Sequence, residues 1–135
     1  MRVVLDTNVV ISGILRGGLP GLILEAWARG GVLLVVSPEV LGEYYATVKA
    51  LADRCPLNAA ERVIDAIAAR SEAVDTAPLP APICRDPDDD KFIACALSGS
   101  ALLVSGDKDL LAVTGVPQLQ VLSPREFVNR YLRRS

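Results

Sequence analysis

The chain has 135 residues, 51% of them apolar and 22% charged, with a formal net charge of −2. That is enough apolar material for one packed core, so a disordered chain is excluded and a single domain over 1–135 is expected. The slight acidity gives no chain-wide basic footprint for nucleic acid, and the absence of histidine excludes Ser-His-Asp, Cys-His and histidine-pair chemistry.

In chain order, "RVVL" (2–5) reads as a short buried strand that stops at Asp6. "TNVVISGIL" (7–15) opens on capping residues and reads as a helix. After the break at "GGLP", "GLILEAWARGG" (21–31) has helical spacing and ends in glycines. "VLLVV" (32–36) is the continuous apolar run of a strand buried on both faces. "SPEVLGEYYATVKALA" (37–52) is a helix with Ser37 as cap and Pro38 at its first position. A further helix is expected over 57–70 with Asn58 as cap, then a short strand in "EAVDT" and a surface loop in "APLPAP" (77–82). The helix "DKFIACALSG", the strand "ALLVS" (101–105), a loop "GDKDLL", a strand near "LQVLS" (119–123) and a basic closing helix "PREFVNRYLRRS" complete the pass.

Alternating strands and helices predict a three-layer α/β/α fold around a mostly parallel sheet of about five strands. No segment is long and apolar enough to span a bilayer, and no signal segment precedes the first strand. Cys55, Cys84 and Cys95 form no CxxC pair and read as reduced thiols. The expected location is the cytoplasm.

In such a fold the functional crevice lies beyond the carboxyl ends of the strands. Asp6 directly follows the first strand, Asp107 follows "ALLVS", and Asp86, Asp88, Asp89 and Asp90 crowd the entry to a helix. Two carboxylates ~4 Å apart repel by roughly 4 kcal/mol at an effective dielectric near 20. Several in one cleft therefore require protonation or a cation, and oxygen-only ligands select Mg²⁺ or Mn²⁺. Simpler explanations compete: Asp6 can cap a helix, and N-terminal acids complement a helix dipole.

Within the cluster, stepping 100° per residue points Asp89 toward the apolar face set by Ile93, Ala96 and Leu97. Asp90 falls nearer the edge of that face, Asp88 points away, and Asp86 stays in the loop before Pro87. Glu39 lies near a helix start and suits the dipole. Glu43 sits mid-helix on the face of Val40 and Thr47, and is read either as a solvated residue or as a site acid.

"VVLDTNVVIS", "SPEVLGEYY", "DPDDDKFIACAL" and "LLVSGDKDLL" together resemble the PIN-domain nucleases, above all the small bacterial VapC-like toxin components. The likeness runs over nearly the whole chain in order and spacing. By motif it implies four acids, Asp6, Glu43, Asp89 and Asp107, as catalytic metal ligands. Asp89 stands eighteen residues before Asp107, with Ala96 as the small residue seven positions beyond it. Asn8, Ser12 and Ser105 would support the site, and Asp90 and Asp109 are lesser candidates, Asp109 reading more simply as a loop acid. The implied activity is Mg²⁺- or Mn²⁺-dependent hydrolysis of RNA phosphodiester bonds. The implied partners are a small antitoxin protein that blocks the cleft and further copies of the chain, with the helices at 21–29 and 40–52 as candidate surfaces.

Arg16, Arg85, Lys91 and Lys108 lie near the expected cleft and can meet phosphates or stay solvated. The tail adds Arg125, Arg130, Arg133 and Arg134, while Trp27, Tyr44 and Tyr45 read as core or interface. Two other readings stand beside the nuclease. An aspartyl-phosphate phosphatase also begins with an acid after its first strand, but usually carries a second aspartate where this chain has Asn8. A non-catalytic PIN-like or receiver-like binding module also gathers aspartates at strand ends.

Overall fold

Strand β1 (Arg2–Leu5) is the middle of a five-stranded sheet whose order is β3-β2-β1-β4-β5. The computed structural model describes residues 1–51 and 57–133. Cys55, Arg134 and the side chain of Asn58 lie outside what is described. Along the chain β1 is followed by α1 (Thr7–Leu15), α2 (Gly18–Ala28), β2 (Leu33–Val36), α3 (Pro38–Ala50), α4 (Leu57–Arg70) and β3 (Glu72–Ala73). A 3-10 turn (Pro87–Asp89) leads into α5 (Asp90–Ser98), then β4 (Leu102–Val104), α6 (Lys108–Leu111), β5 (Val121–Leu122) and α7 (Pro124–Phe127). A wide π-type turn, Val128–Leu132, follows α7.

Every strand pair is parallel. β1 runs beside β2 in the register Val3↔Leu34 and beside β4 in the register Val4↔Leu103. Strands covered by helices on both faces need apolar residues at successive positions, and Val3, Val4, Leu5, Val35, Leu103 and Val104 are all buried. The chain first winds from β1 outward through β2 to β3, then returns past β1 to β4 and β5. With right-handed crossovers this reversal sends the later helices to the opposite face of the sheet, giving three layers. It also makes the β1–β4 boundary a topological switch point, where two connections diverge and leave a crevice.

Backbone conformation explains two glycines and close packing a third. Gly17 and Gly18 both have positive φ (72° and 59°), a region that disfavours side chains, and they turn α2 94° away from α1. Gly99 ends α5 where a Cβ would lie 2.6 Å from Val35 Cγ1 on β2. No single helix among the described residues is long and apolar enough to cross a membrane.

Three sequence expectations shift. The second helix begins at Gly18 rather than 21, because Pro20 lies in its first turn and removes only a donor that lacks an intrahelical acceptor anyway. The stretch read as the loop "GDKDLL" contains α6, capped by Asp107 and anchored by buried Leu110. The closing helix breaks into α7 and the wide turn, with Phe127 and Val128 buried and the Phe127 and Tyr131 rings 5.3 Å apart.

Candidate active site

The ends of β1 and β4 bring Asp6 and Ser105 together across 99 positions of sequence. Asp6 N donates to Val104 O at 2.9 Å, which locks the residue to the neighbouring strand. Ser105 Oγ donates to Asp6 Oδ2 at 2.6 Å and accepts from Asp107 N at 2.9 Å. Asp107 in turn accepts from Asp109 N at 2.9 Å and caps α6. Asp6 occupies the N-cap position of α1, yet its side chain closes no capping hydrogen bond. Interaction with the start of α1 is therefore weak for a carboxylate that is 5% exposed. Burial pushes its pKa up, with Asp107 and Glu43 adding repulsion, while the Ser105 hydroxyl and the nearby Asn8 N–H pull the other way.

Asp89 arrives from the other side of the switch point. Asp86 accepts from Asp88 N at 3.0 Å and its carbonyl accepts from Asp89 N, so the 3-10 turn is built by the first aspartate of the cluster. Asp89 is the last residue of that turn, and Asp107 is the carboxylate that acts on it most strongly. Its pKa is pushed up to about 7, first by desolvation, then by the shared hydrogen bond with Asp107 and the charges of Asp107, Asp6 and Asp86. The sequence reading reached the same residue by treating it as part of an α-helix. The observed geometry is tighter, because Asp89 precedes the first α-helical residue, Asp90.

Glu43 projects from α3 and is fully engaged. Thr7 Oγ1 hydrogen-bonds Glu43 Oε2, and Lys91 Nζ stands 2.8 Å from Glu43 Oε1. Lys91 Nζ also lies 3.4 Å from Asp88 Oδ1. Desolvation lowers the Lys91 pKa, but its two acidic partners outweigh that and the net shift is upward. Glu43 still contributes repulsion at Asp6. Thr7 was read only as part of a helix start, since nothing local reveals a partner 36 residues away.

The remaining sequence candidates separate. Asp90 accepts from Ile83 N at 3.1 Å and Cys84 N at 2.7 Å, one to each oxygen, so it anchors the preceding loop. Its candidacy as a cleft ligand gives way to that role. Asn8, Ser12, Asp107, Lys108, Asp109 and Pro124 line a cleft of about 590 Å³ beside the acids. Arg85, Lys108 and Arg16 are exposed. Lys91 is instead held in the ion pairs with Glu43 and Asp88. Tyr44 is buried and donates to Leu5 O at 2.5 Å, and Trp27 is buried beneath the Arg70 guanidinium. Tyr45 hydrogen-bonds Asp65. Cys84 and Cys95 are free, buried thiols, and burial pushes the Cys95 pKa up to about 11.

The donor set fits a hard divalent ion in chemistry: Asp6, Asp89 and Asp107 present only carboxylate oxygens, and the charge of Asp107 raises the proton affinity of both Asp6 and Asp89. It is not a closed cage, because among the described residues no three acids already surround one cation position. Glu43, the fourth acid, faces Thr7 and Lys91.

A parallel sheet of order 3-2-1-4-5 with carboxylates gathered at its switch point defines a doubly wound α/β protein with an acidic cleft. The profile of the PIN domain matches residues 2–109, and the chain belongs to the PIN-domain family, whose members are generally nucleases. It is 30% identical to the uncharacterised protein MJ1680 of Methanocaldococcus jannaschii, over 97% of this chain and 92% of that one. The fold is similar to two solved structures. One is VapBC2 from Rickettsia felis bound to a DNA fragment from its promoter, with TM-score 0.59 and 16% identity over 91% of this chain and 98% of that one. The other is PAE2754 from Pyrobaculum aerophilum, with TM-score 0.64 and 14% identity over 99% and 91%.

Proposed function

We propose that this chain is a divalent-metal-dependent endoribonuclease, and that it serves as the toxin of a toxin–antitoxin pair. The observation that carries the reading is the meeting of Asp6, Asp89 and Asp107 at the β1–β4 switch point, with Glu43 near enough to act on Asp6. Buried like charges favour proton or cation uptake, and histidine plays no part.

Asp6, Asp89, Asp107 and Glu43 would hold Mg²⁺ or Mn²⁺. When bound, such an ion makes water more acidic and neutralises charge on phosphoryl oxygens during displacement. Asp6 and Asp107 are oriented for this through Ser105. Asp89, which Asp107, Asp6 and Asp86 crowd with negative charge in the metal-free chain, would regain its ionised form by binding the cation. Lys108 on the cleft wall can meet a flanking phosphate, with Asn8 and Ser12 offering polar contacts. The toxin role is supported by the likeness of the fold to VapBC2, and it implies a small antitoxin that covers the cleft.

The test is cleavage of RNA by the purified chain with Mg²⁺, with EDTA, and after Asp6→Asn or Asp89→Asn. Magnesium-dependent cleavage that falls at least about 100-fold in either variant is expected. Undiminished cleavage by both variants overturns the assignment, and trapping of a phosphorylated Asp6 would support the phosphatase reading instead.

A further inference from the structure

Lys91 gives the acidic cleft a cation of its own. Its ammonium is 2.8 Å from Glu43 Oε1 and 3.4 Å from Asp88 Oδ1, and Thr7 occupies the other oxygen of Glu43. Both Lys91 and Glu43 are about one-fifth exposed, whereas Asp88 is 73% exposed at the side chain. The two partners of Lys91 thus lie in different surroundings, one largely shielded from water and one in it. Each oxygen of Glu43 already has one partner, and the ammonium on Oε1 repels an incoming cation. Asp88 is poised to keep the ammonium if Glu43 is taken, because a small rotation of the flexible lysine stem suffices.

We infer that Lys91 is a resident counter-ion of Glu43 which a divalent cation displaces, and that Asp88 receives the displaced ammonium. The inference rests on the proposed metal-dependent reading of the site. Lys91 is here a positioning residue: it neutralises Glu43 in the metal-free protein and sets how tightly the metal is held. A metal ion that takes Glu43 Oε1 competes with the Lys91 ammonium for that oxygen, so displacing the ammonium lowers apparent affinity by the stability of the contact. An ion pair of this exposure corresponds to roughly a five-fold change.

The test is calorimetric titration of the full chain with Mn²⁺ alone, on the parent, Lys91→Gln, Glu43→Gln and the double variant, with each melting curve recorded. Lys91→Gln is expected to tighten Mn²⁺ binding about five-fold in the parent and less than about two-fold in the Glu43→Gln background. Unchanged or weakened binding in Lys91→Gln overturns the inference. Equal tightening in both backgrounds also overturns it, since that marks a general charge effect. A parent that binds no Mn²⁺ overturns both the inference and the metal-dependent function. A parent that binds Mn²⁺ without the coupling overturns only the inference. If Lys91→Gln does not fold, the nitrogen-15 resonance of the Lys91 ammonium in the parent decides. Displacement predicts that it moves on Mg²⁺ saturation, and an unmoved signal overturns the exchange.

Discussion

Ser105 Oγ bridges two strands and two acids: it donates to Asp6 Oδ2 at 2.6 Å and accepts from Asp107 N at 2.9 Å. The serine is fully buried, so each bond is made away from competing water. Removing the hydroxyl leaves Asp6 without its donor and Asp107 N without its acceptor. Ser105→Ala is expected to lower nuclease activity and Mn²⁺ affinity by about 10- to 100-fold, the usual effect of losing a partner that orients a metal ligand. Ser105→Thr, which keeps the hydroxyl, should recover part of both. Kinetics and metal titration of the two variants check this.

Asp89 and Asp90 are neighbours with opposite tasks. Asp90 ties down Ile83 N and Cys84 N, and its loss leaves two partly buried donors unsatisfied. Asp90→Ala is expected to destabilise the fold by about 2 kcal/mol. Asp89→Asn is expected to leave stability near or above the parent value, because it removes a repelled charge, while abolishing most activity. Urea unfolding and RNA cleavage of the pair separate the two roles, and a reversed pattern would contradict the assignment.

The raised pKa values give a pH dependence of definite sign. Burial and the neighbouring carboxylates push the Asp89 pKa from its ordinary 3.8 up to about 7 in the folded chain, and Asp6 is also raised. The folded state therefore binds protons more tightly than the unfolded state. The stabilisation from protonated Asp89 is fully present below about 3.8 and is lost as pH rises through about 7. Metal-free protein should melt roughly 3 °C higher at pH 5.5 than at pH 8, and Asp89→Asn should shrink that difference. Mg²⁺ should stabilise more at pH 8, where no proton competes. Calorimetry in EDTA and in Mg²⁺ checks both.

Gly99 tests the packing behind the site. A Cβ there would meet Val35 Cγ1 at 2.6 Å and Cys95 O at 3.2 Å. Neither α5 nor β2 can withdraw without disturbing the sheet. Gly99→Ala is expected to cost about 1–3 kcal/mol, measured by denaturant unfolding.

Local chemistry made much of this legible from sequence. "RVVL" ending at Asp6 has no alternative to a short buried strand, and Ser37 before Pro38 marks a helix start, where Ser37 Oγ accepts from Val40 N at 3.2 Å. Among the four clustered aspartates, Asp86 keeps the extended position before Pro87 that its sequence predicts. What escaped was long-range. The Lys91–Glu43 pair spans 48 positions, and neither residue carries a local sign of the other. Asp90 was placed at a cleft edge because helix geometry says nothing about a loop folding back to be capped. The shortness of α6 hid it, since four residues show no periodicity and only the Asp107 cap betrays them.

The partnership of β1 with β4 has a further consequence for how the molecule comes into being. Residues 2–5 find β2 early, but their other neighbour lies at 102–104. A growing chain on the ribosome can fold its first helices and two strands long before the second half of the crevice has been translated. The slow, distant pairing is the step that assembles the acids. Any fragment released before Ser105 carries Asp6, Glu43 and Asp89 but lacks β4, Ser105 and Asp107. Synthesis itself thus delays the completion of the acidic cleft until β4 and Asp107 have emerged.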